Sequence, residues 1–225
     1  MAVTAAVLVG IWFLVAFALR IALQVRRHHD TGVRSNAGPP RSAGWWARLL
    51  FTASLLAVAV AVVLRALDVV GPVGMLDEGA IAAAGLVLAA VGIVLTFWAQ
   101  LAMGASWRIG VDPAERTALV TSGPFAVVRN PIFSTMALTA LGLTVMAPTV
   151  AGLVALAIMV VALELQVRGV EEPYLRTVHG AAFAAYAART GRFVPRLGGL
   201  SRRRAALPGS PRPAAPAPRG RSATR

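Results

Sequence analysis

The sequence predicts an all-α integral membrane protein of about five transmembrane helices, followed by a cytoplasmic helix and a disordered tail. Three observations carry that prediction. Of 225 residues, 57% are hydrophobic and 14% charged, with a mean hydropathy of +0.71, which is more apolar surface than a soluble domain of this length can bury. The apolar residues fall into five runs separated by short polar segments. Nearly all the arginines fall in segments that five spans place on one side of a membrane.

The first run, Ala2 to Val25, has no basic residue before it and no convincing small-residue cleavage site after it. It reads as a retained helix rather than a signal peptide. A polar loop rich in Arg follows, from Arg26 to Trp46, with Gly38-Pro39-Pro40 within it. Trp45 and Trp46 then mark a membrane interface before the second span, about Leu49 to Leu67. Asp68 to Glu78 is a short acidic turn. The third span, about Gly79 to Met103, carries Gly85, Ala89 and Gly92 at helical spacing, a stripe suited to close helix packing.

From Gly104 to Asn130 the chain reads as an amphiphilic loop, with Trp107 and Arg108 as interface anchors. Two apolar runs follow, Pro131 to Met146 and Thr149 to Gln166, divided by Ala147-Pro148, and predict a tight helical hairpin. The first is short against the roughly 20 residues a span requires. Pro131 suits the first position of a helix, and Asn130 can cap that start through its side-chain oxygen. Arg168 to Arg189 returns to helical periodicity, with Leu175, Val178, Ala182 and Ala185 on an apolar face. Residues 200–225 hold seven Arg among Pro and Ala, and predict a disordered, lipid-facing polybasic tail.

The positive-inside rule puts the N-terminus outside and the C-terminus in the cytoplasm. The net charge of +13 suits an anionic membrane surface better than nucleic acid. With no Cys and only three His, a thiolate or His-rich metal site is not expected. No ionisable residue falls near the middle of a span, which disfavours a transporter or pump. Charge gathers instead at the cytoplasmic mouth, at Arg108, Asp112, Arg129, Glu164, Arg168, Glu171, Glu172, Arg189 and Arg192, with His179 beside them.

Within that mouth, Glu164 and Arg168 are spaced for a helical ion pair. Glu171-Glu172-Pro173 suits a helix N-terminus, where the dipole favours acids. Gly123-Pro124-Phe125, Val128-Arg129-Asn130-Pro131 and Phe133 form one compact element. Arg168-Gly169-Val170-Glu171-Glu172, with Leu175, Gly180, Phe183, Tyr186, Arg192, Phe193 and Pro195, forms a second, one hairpin away.

These paired elements resemble those of the isoprenylcysteine carboxyl methyltransferases and the related phospholipid methyltransferases. The resemblance covers about Trp107 to Pro195. It implies a methyltransferase-like core at 104–199; the three transmembrane helices expected at 1–103 rest on topology alone. It further implies an S-adenosylmethionine-dependent enzyme that methylates a lipophilic acceptor, a carboxylate or a lipid head group, at the cytoplasmic face. By that analogy Gly123, Phe125, Arg129, Asn130, Pro131, Glu171, Glu172 and Tyr186 surround the cofactor, while Arg168 and Arg192 orient the acceptor. Asn130 stands where the family has His, and Phe125, Phe133 and Phe183 stand where it has Tyr. If that His serves as a base, His179 is the available replacement in this sequence. Two other readings stay open: an NADPH-dependent membrane reductase of the steroid or sterol type, and a non-catalytic scaffold with a lipid-binding basic tail.

Overall fold

The computed structural model describes residues 1–34, 39–110 and 115–196, and they are almost entirely helical. The predicted tail at 200–225, Asp112 and Gly38 lie outside the described residues. Six helices follow in order: α1 (Ala2–His28), α2 (Ala43–Ala66), α3 (Gly79–Met103), α4 (Pro131–Met146), α5 (Val150–Gln166) and α6 (Glu172–Arg189). Among the described residues there are no strands, only two isolated parallel bridges, Val33 with Ile109 and Val128 with Gly191.

The helix starts follow from local chemistry. Ser42 caps α2 by accepting from the Trp45 backbone N–H at 3.2 Å, and Thr149 caps α5 by accepting from Gly152 at 3.0 Å. Pro131 opens α4 as its first residue. Asn130 does not cap that helix with its side chain. Its amide Nδ2 donates instead to the Arg192 carbonyl at 3.3 Å, because the C-terminal segment lies against it and offers an acceptor.

Four helices are long and apolar enough to cross a membrane, and α4 is a shorter apolar helix. At 16 residues, α4 is about 24 Å long against a hydrocarbon core of about 30 Å. The Pro148 carbonyl just beyond it accepts from Val73 N–H, in the α2–α3 connection, at 2.9 Å. The helix therefore runs from the Arg129 end of the bundle to the opposite end. It does so pressed against α3, the most extensive helix pair in the molecule. A Cβ on Gly142 would lie 2.4 Å from the Ala89 backbone nitrogen, and one on Gly92 would lie 2.8 Å from that of Thr139. The small-residue stripe of the third span is thus used within the chain, against α4.

The run Val150–Arg189 is one continuous helical path. The Glu171-Glu172-Pro173 triplet is therefore not a free helix start. It follows a π turn, Val167–Glu171, that joins α5 to α6. Pro173 has no N–H to donate and its ring crowds the carbonyl four residues back; the wider turn relieves both. The stretch from Val150 to the kink at Gly180 would alone measure about 45 Å, half as much again as the hydrocarbon thickness, so α6 projects beyond it. At Gly180 the backbone leaves the helix (φ 48°, ψ −121°), a left-handed angle open to glycine. That kink resets the buried face. Phe183 and Tyr186 are buried, whereas Ala182 and Ala185, expected on the apolar face, are exposed.

Trp107 is not an interface anchor either. It is 2% exposed and takes the Arg20 guanidinium 4.4 Å above its ring, a cation–π contact in a desolvated setting. Arg20 also donates to the Gly104 carbonyl at 3.1 Å. Beside it, a π turn in α1, Leu14–Leu19, leaves the Ala16 carbonyl to accept from Gln100 Nε2 at 2.9 Å.

Candidate active site

The two sequence elements on either side of the hairpin meet in space. The backbone N–H of Arg129 donates to Gly191 O at 2.8 Å, and that of Asn130 to Arg192 O at 3.0 Å. Ser134 Oγ donates to Phe193 O at 2.7 Å, and the buried Tyr186 hydroxyl to Phe125 O at 2.6 Å. The 123–134 segment and the end of α6 are thereby fastened together along both backbones.

Glu172 closes this fastening. Its carboxylate receives Arg192 through two bonds, Nε at 2.8 Å and Nη2 at 2.9 Å, and Arg129 Nη2 at 2.9 Å. Arg176 adds a longer contact at 3.5 Å. The Glu172 side chain is only 6% exposed, so its charge is carried by these cations rather than by water. Arg129 spends its other nitrogen, Nη1, on the carbonyls of Ala187 and Thr190. It is a structural clasp between the hairpin mouth and the C-terminal segment.

Beside the clasp lies a cavity of about 460 Å³. Its polar end is walled by Phe125, Arg129, Asn130, Pro131, Gln166, Glu171, Glu172, Tyr174 and Tyr186. Its apolar wall comes from α1 and α2, through Phe13, Phe17, Phe51, Leu55 and Leu56, with Phe133 of α4 edge-on to Phe51 at 5.9 Å between centroids. Seven of the ten residues expected around cofactor or acceptor line this space. Gly123, Arg168 and Arg192 do not. Gly123 sits behind Phe125 in the 3₁₀ turn Gly123–Ala126, and Arg192 acts through Glu172. Arg168 points outward, 62% exposed, and pairs with Glu164 as its spacing suggested. His179 does not line the cavity.

The sequence reading missed a cluster of ion pairs beside the polar end. Arg34, from the loop after α1, pairs with Asp30 at 2.6 Å and with Glu115 at 2.6 Å. Arg108 pairs with Glu115 at 3.0 Å and Asp30 at 3.5 Å. The Tyr174 hydroxyl donates to the Glu115 backbone carbonyl, tying this cluster to α6. An acid among so many Arg was the available signal. Hydrogen bonding from Arg34 holds both the Asp30 and the Glu115 carboxyls below their ordinary range. A depressed acid stabilises the fold fully above its unfolded value, about 4, and loses that contribution as pH falls through the folded one. Thermal stability in detergent is therefore expected to fall on acidification below about pH 4. The Asp30→Asn, Glu115→Gln double variant is expected to lose most of that acid-side dependence; an unchanged profile would place the acid-labile groups elsewhere.

No curated protein gives a significant match to the chain. Residues 80–182 match the phospholipid methyltransferase family model. This segment is a phospholipid methyltransferase-family domain. It spans α3, the hairpin, the π turn and the start of α6, and so contains Arg129, Glu171 and Glu172. The match supports a membrane methyltransferase acting on lipid or similar substrates. The aromatic wall from α1 and α2, and Tyr186 beyond residue 182, complete the same cavity from outside the matched segment, while Arg192 braces Glu172 behind it.

Proposed function

We propose that this methyltransferase transfers a methyl group from S-adenosylmethionine to the head group of a membrane lipid, at the cytoplasmic face. The observation that carries the reading is one cavity with two unlike ends. A polar end lies beside the Arg129–Glu172 clasp, and an aromatic and aliphatic wall rises from the spans. A charged methyl donor and a lipid tail require that combination, while a scaffold requires neither.

The donor set fits the cofactor. Asn130 and the tyrosines offer polar contacts, Phe125 and Pro131 offer flat apolar surface, and half-buried Glu171 has no cationic partner among the described residues. Phe125, Asn130, Pro131 and Tyr186 would line the cofactor, with Arg129, Glu172 and Arg192 clasped together as the frame behind them and Gly123 setting the turn. When bound, the cofactor supplies an activated methyl group on sulfonium. The chain contributes alignment and exclusion of water, the main levers for a direct displacement. The acceptor-orienting task falls to groups on the cavity wall, since Arg168 faces away. A spare carboxylate beside the polar end favours a cationic nitrogen head group over a carboxylate acceptor, which it would repel.

The placement of Arg in the loops at the clasp end supports assigning that end to the cytoplasm. Calorimetry on the detergent-purified protein is expected to show saturable S-adenosylmethionine binding and none of NADPH. Binding of NADPH alone would transfer the reading to a reductase.

A further inference from the structure

The first helix stands apart from the rest of the bundle. It is the least buried of the four membrane-length helices and lies outside the matched segment, yet it supplies Phe13 and Phe17 to the cavity wall. Phe13 immediately precedes the π turn Leu14–Leu19 and Phe17 lies within it; their rings sit 5.6 Å apart between centroids. Pro173 accounts for the other π turn of the molecule. This one contains neither Pro nor Gly, so nothing inside it demands the wider geometry.

Its stabiliser is on α3. The turn leaves the Ala16 carbonyl free, and Gln100 Nε2 donates to it at 2.9 Å. Both residues are buried, so that carbonyl has no recourse to water, and leaving it unpaired within a span is costly. Gln100 lines the cavity as well, and its Oε1 has no hydrogen-bond partner among the described residues. The turn also sets register. Trp12, Ala16, Arg20 and Gln24 are all buried at a constant spacing of four. An α-helix overshoots by about 40° every four residues, or about 120° over these three steps. The extra residue of one π turn takes up about 100° of that. Ala16 therefore stays on Gln100 and Arg20 on the Gly104 carbonyl, while Phe13 and Phe17 stay on the cavity wall.

We propose that Gln100 is a positioning residue for the hydrocarbon end of the acceptor: by pinning the π turn of α1 it holds Phe13 and Phe17 on the cavity wall, and so sets which chain shapes the site admits. The inference deepens the methyl-transfer reading above and rests on it. Without the Gln100 donor, the Ala16 carbonyl regains a partner when the segment returns to α-helical bonding. That step turns the Phe13 side of α1 by about 100° relative to the Arg20 anchor and takes the aromatic surface out of register. A cavity of about 460 Å³ shared by cofactor and acceptor leaves little room on its apolar side, so the intact wall favours an unbranched chain.

The test uses the full chain in nanodiscs with two phosphatidylethanolamines of one head group, dioleoyl and diphytanoyl, the second methyl-branched along its chains. The wild type is expected to favour the unbranched lipid at least about tenfold in kcat/KM, the usual worth of a methyl group in a fitted apolar pocket. Gln100→Leu keeps the bulk and loses the donor. It is expected to bring that ratio within about threefold of unity, chiefly through KM, with the S-adenosylmethionine Kd within about twofold. Phe17→Ala removes a ring and leaves the Gln100 bond intact, so it tests the wall even if Gln100→Leu fails to fold; the same relaxation is expected. The double variant should relax no further than either single one, since both act through one wall. The assignment is overturned if either single variant keeps the wild-type preference, or if Gln100→Leu lowers kcat for both lipids alike or loses cofactor affinity, as a merely structural residue would. A wild type that methylates both lipids equally also overturns it while sparing the methyl-transfer reading. A wild type that binds no S-adenosylmethionine ends that parent reading and this assignment with it.

Discussion

Replacing Glu172 with glutamine is expected to destabilise the protein and abolish methyl transfer together. The variant leaves Arg129 and Arg192 converging on a neutral amide in a site where the native carboxylate is 6% exposed. Removing one partner of a buried ion pair costs about 3–5 kcal/mol, because the remaining charge stays desolvated. The lost carboxylate also frees the 123–134 segment from the end of α6, so the polar end of the cavity loses its shape. Thermal unfolding in detergent and S-adenosylmethionine titration measure the two effects. A double cycle with Arg192→Ala is expected to be strongly non-additive, since both changes break one contact. Arg168→Ala gives the contrast: its pair with Glu164 is exposed and worth at most about 1 kcal/mol. A Glu172→Gln protein with native stability and native cofactor affinity would show that the clasp is ornamental.

The second large effect is expected in the membrane, at Gly142. A Cβ there would lie 2.4 Å from the Ala89 nitrogen and 2.6 Å from the Gly85 carbonyl. Those are backbone atoms of α3 and cannot rotate away. Even Gly142→Ala therefore forces the helices apart, at about 1–3 kcal/mol for overpacking, and Gly142→Leu is expected to prevent stable folding. Because α4 begins at Pro131, on the cavity wall, its displacement should also weaken cofactor binding. Gly10→Ala is the control, as a Cβ there meets nothing within 4 Å. Equal thermal stability of Gly142→Ala and Gly10→Ala would contradict the packing described.

Much of this was legible in the sequence because membranes impose simple rules. Apolar run length gave the helices, Ala147-Pro148 gave the hairpin, and the two short elements on either side of it proved to be one interlocked unit. The failures share a cause: each needed a neighbour that sequence does not name. Asn130 looked free to cap α4 until the Arg192 carbonyl claimed its amide. Trp107 looked like an interface residue until Arg20 covered it. The apolar face of α6 followed helical spacing only as far as Gly180, where one positive φ rotated the rest. That Glu172 and two backbone carbonyls engage the Arg129 guanidinium was likewise not legible. Phe13, Phe17 and Phe51 were ordinary span residues by composition, and only the packing of α1 and α2 beside α4 puts them on the cavity wall.

The central claim is that this cavity joins a methyl donor to a membrane lipid. The most direct measurement incubates the purified protein in lipid vesicles with methyl-labelled S-adenosylmethionine and analyses the extracted lipids by mass spectrometry. The account predicts a labelled head group on an amine-bearing lipid with the wild type and none with Glu172→Gln. Wild-type vesicles whose lipids, amine-bearing and carboxylate-bearing alike, remain unlabelled while the protein binds the cofactor would contradict it.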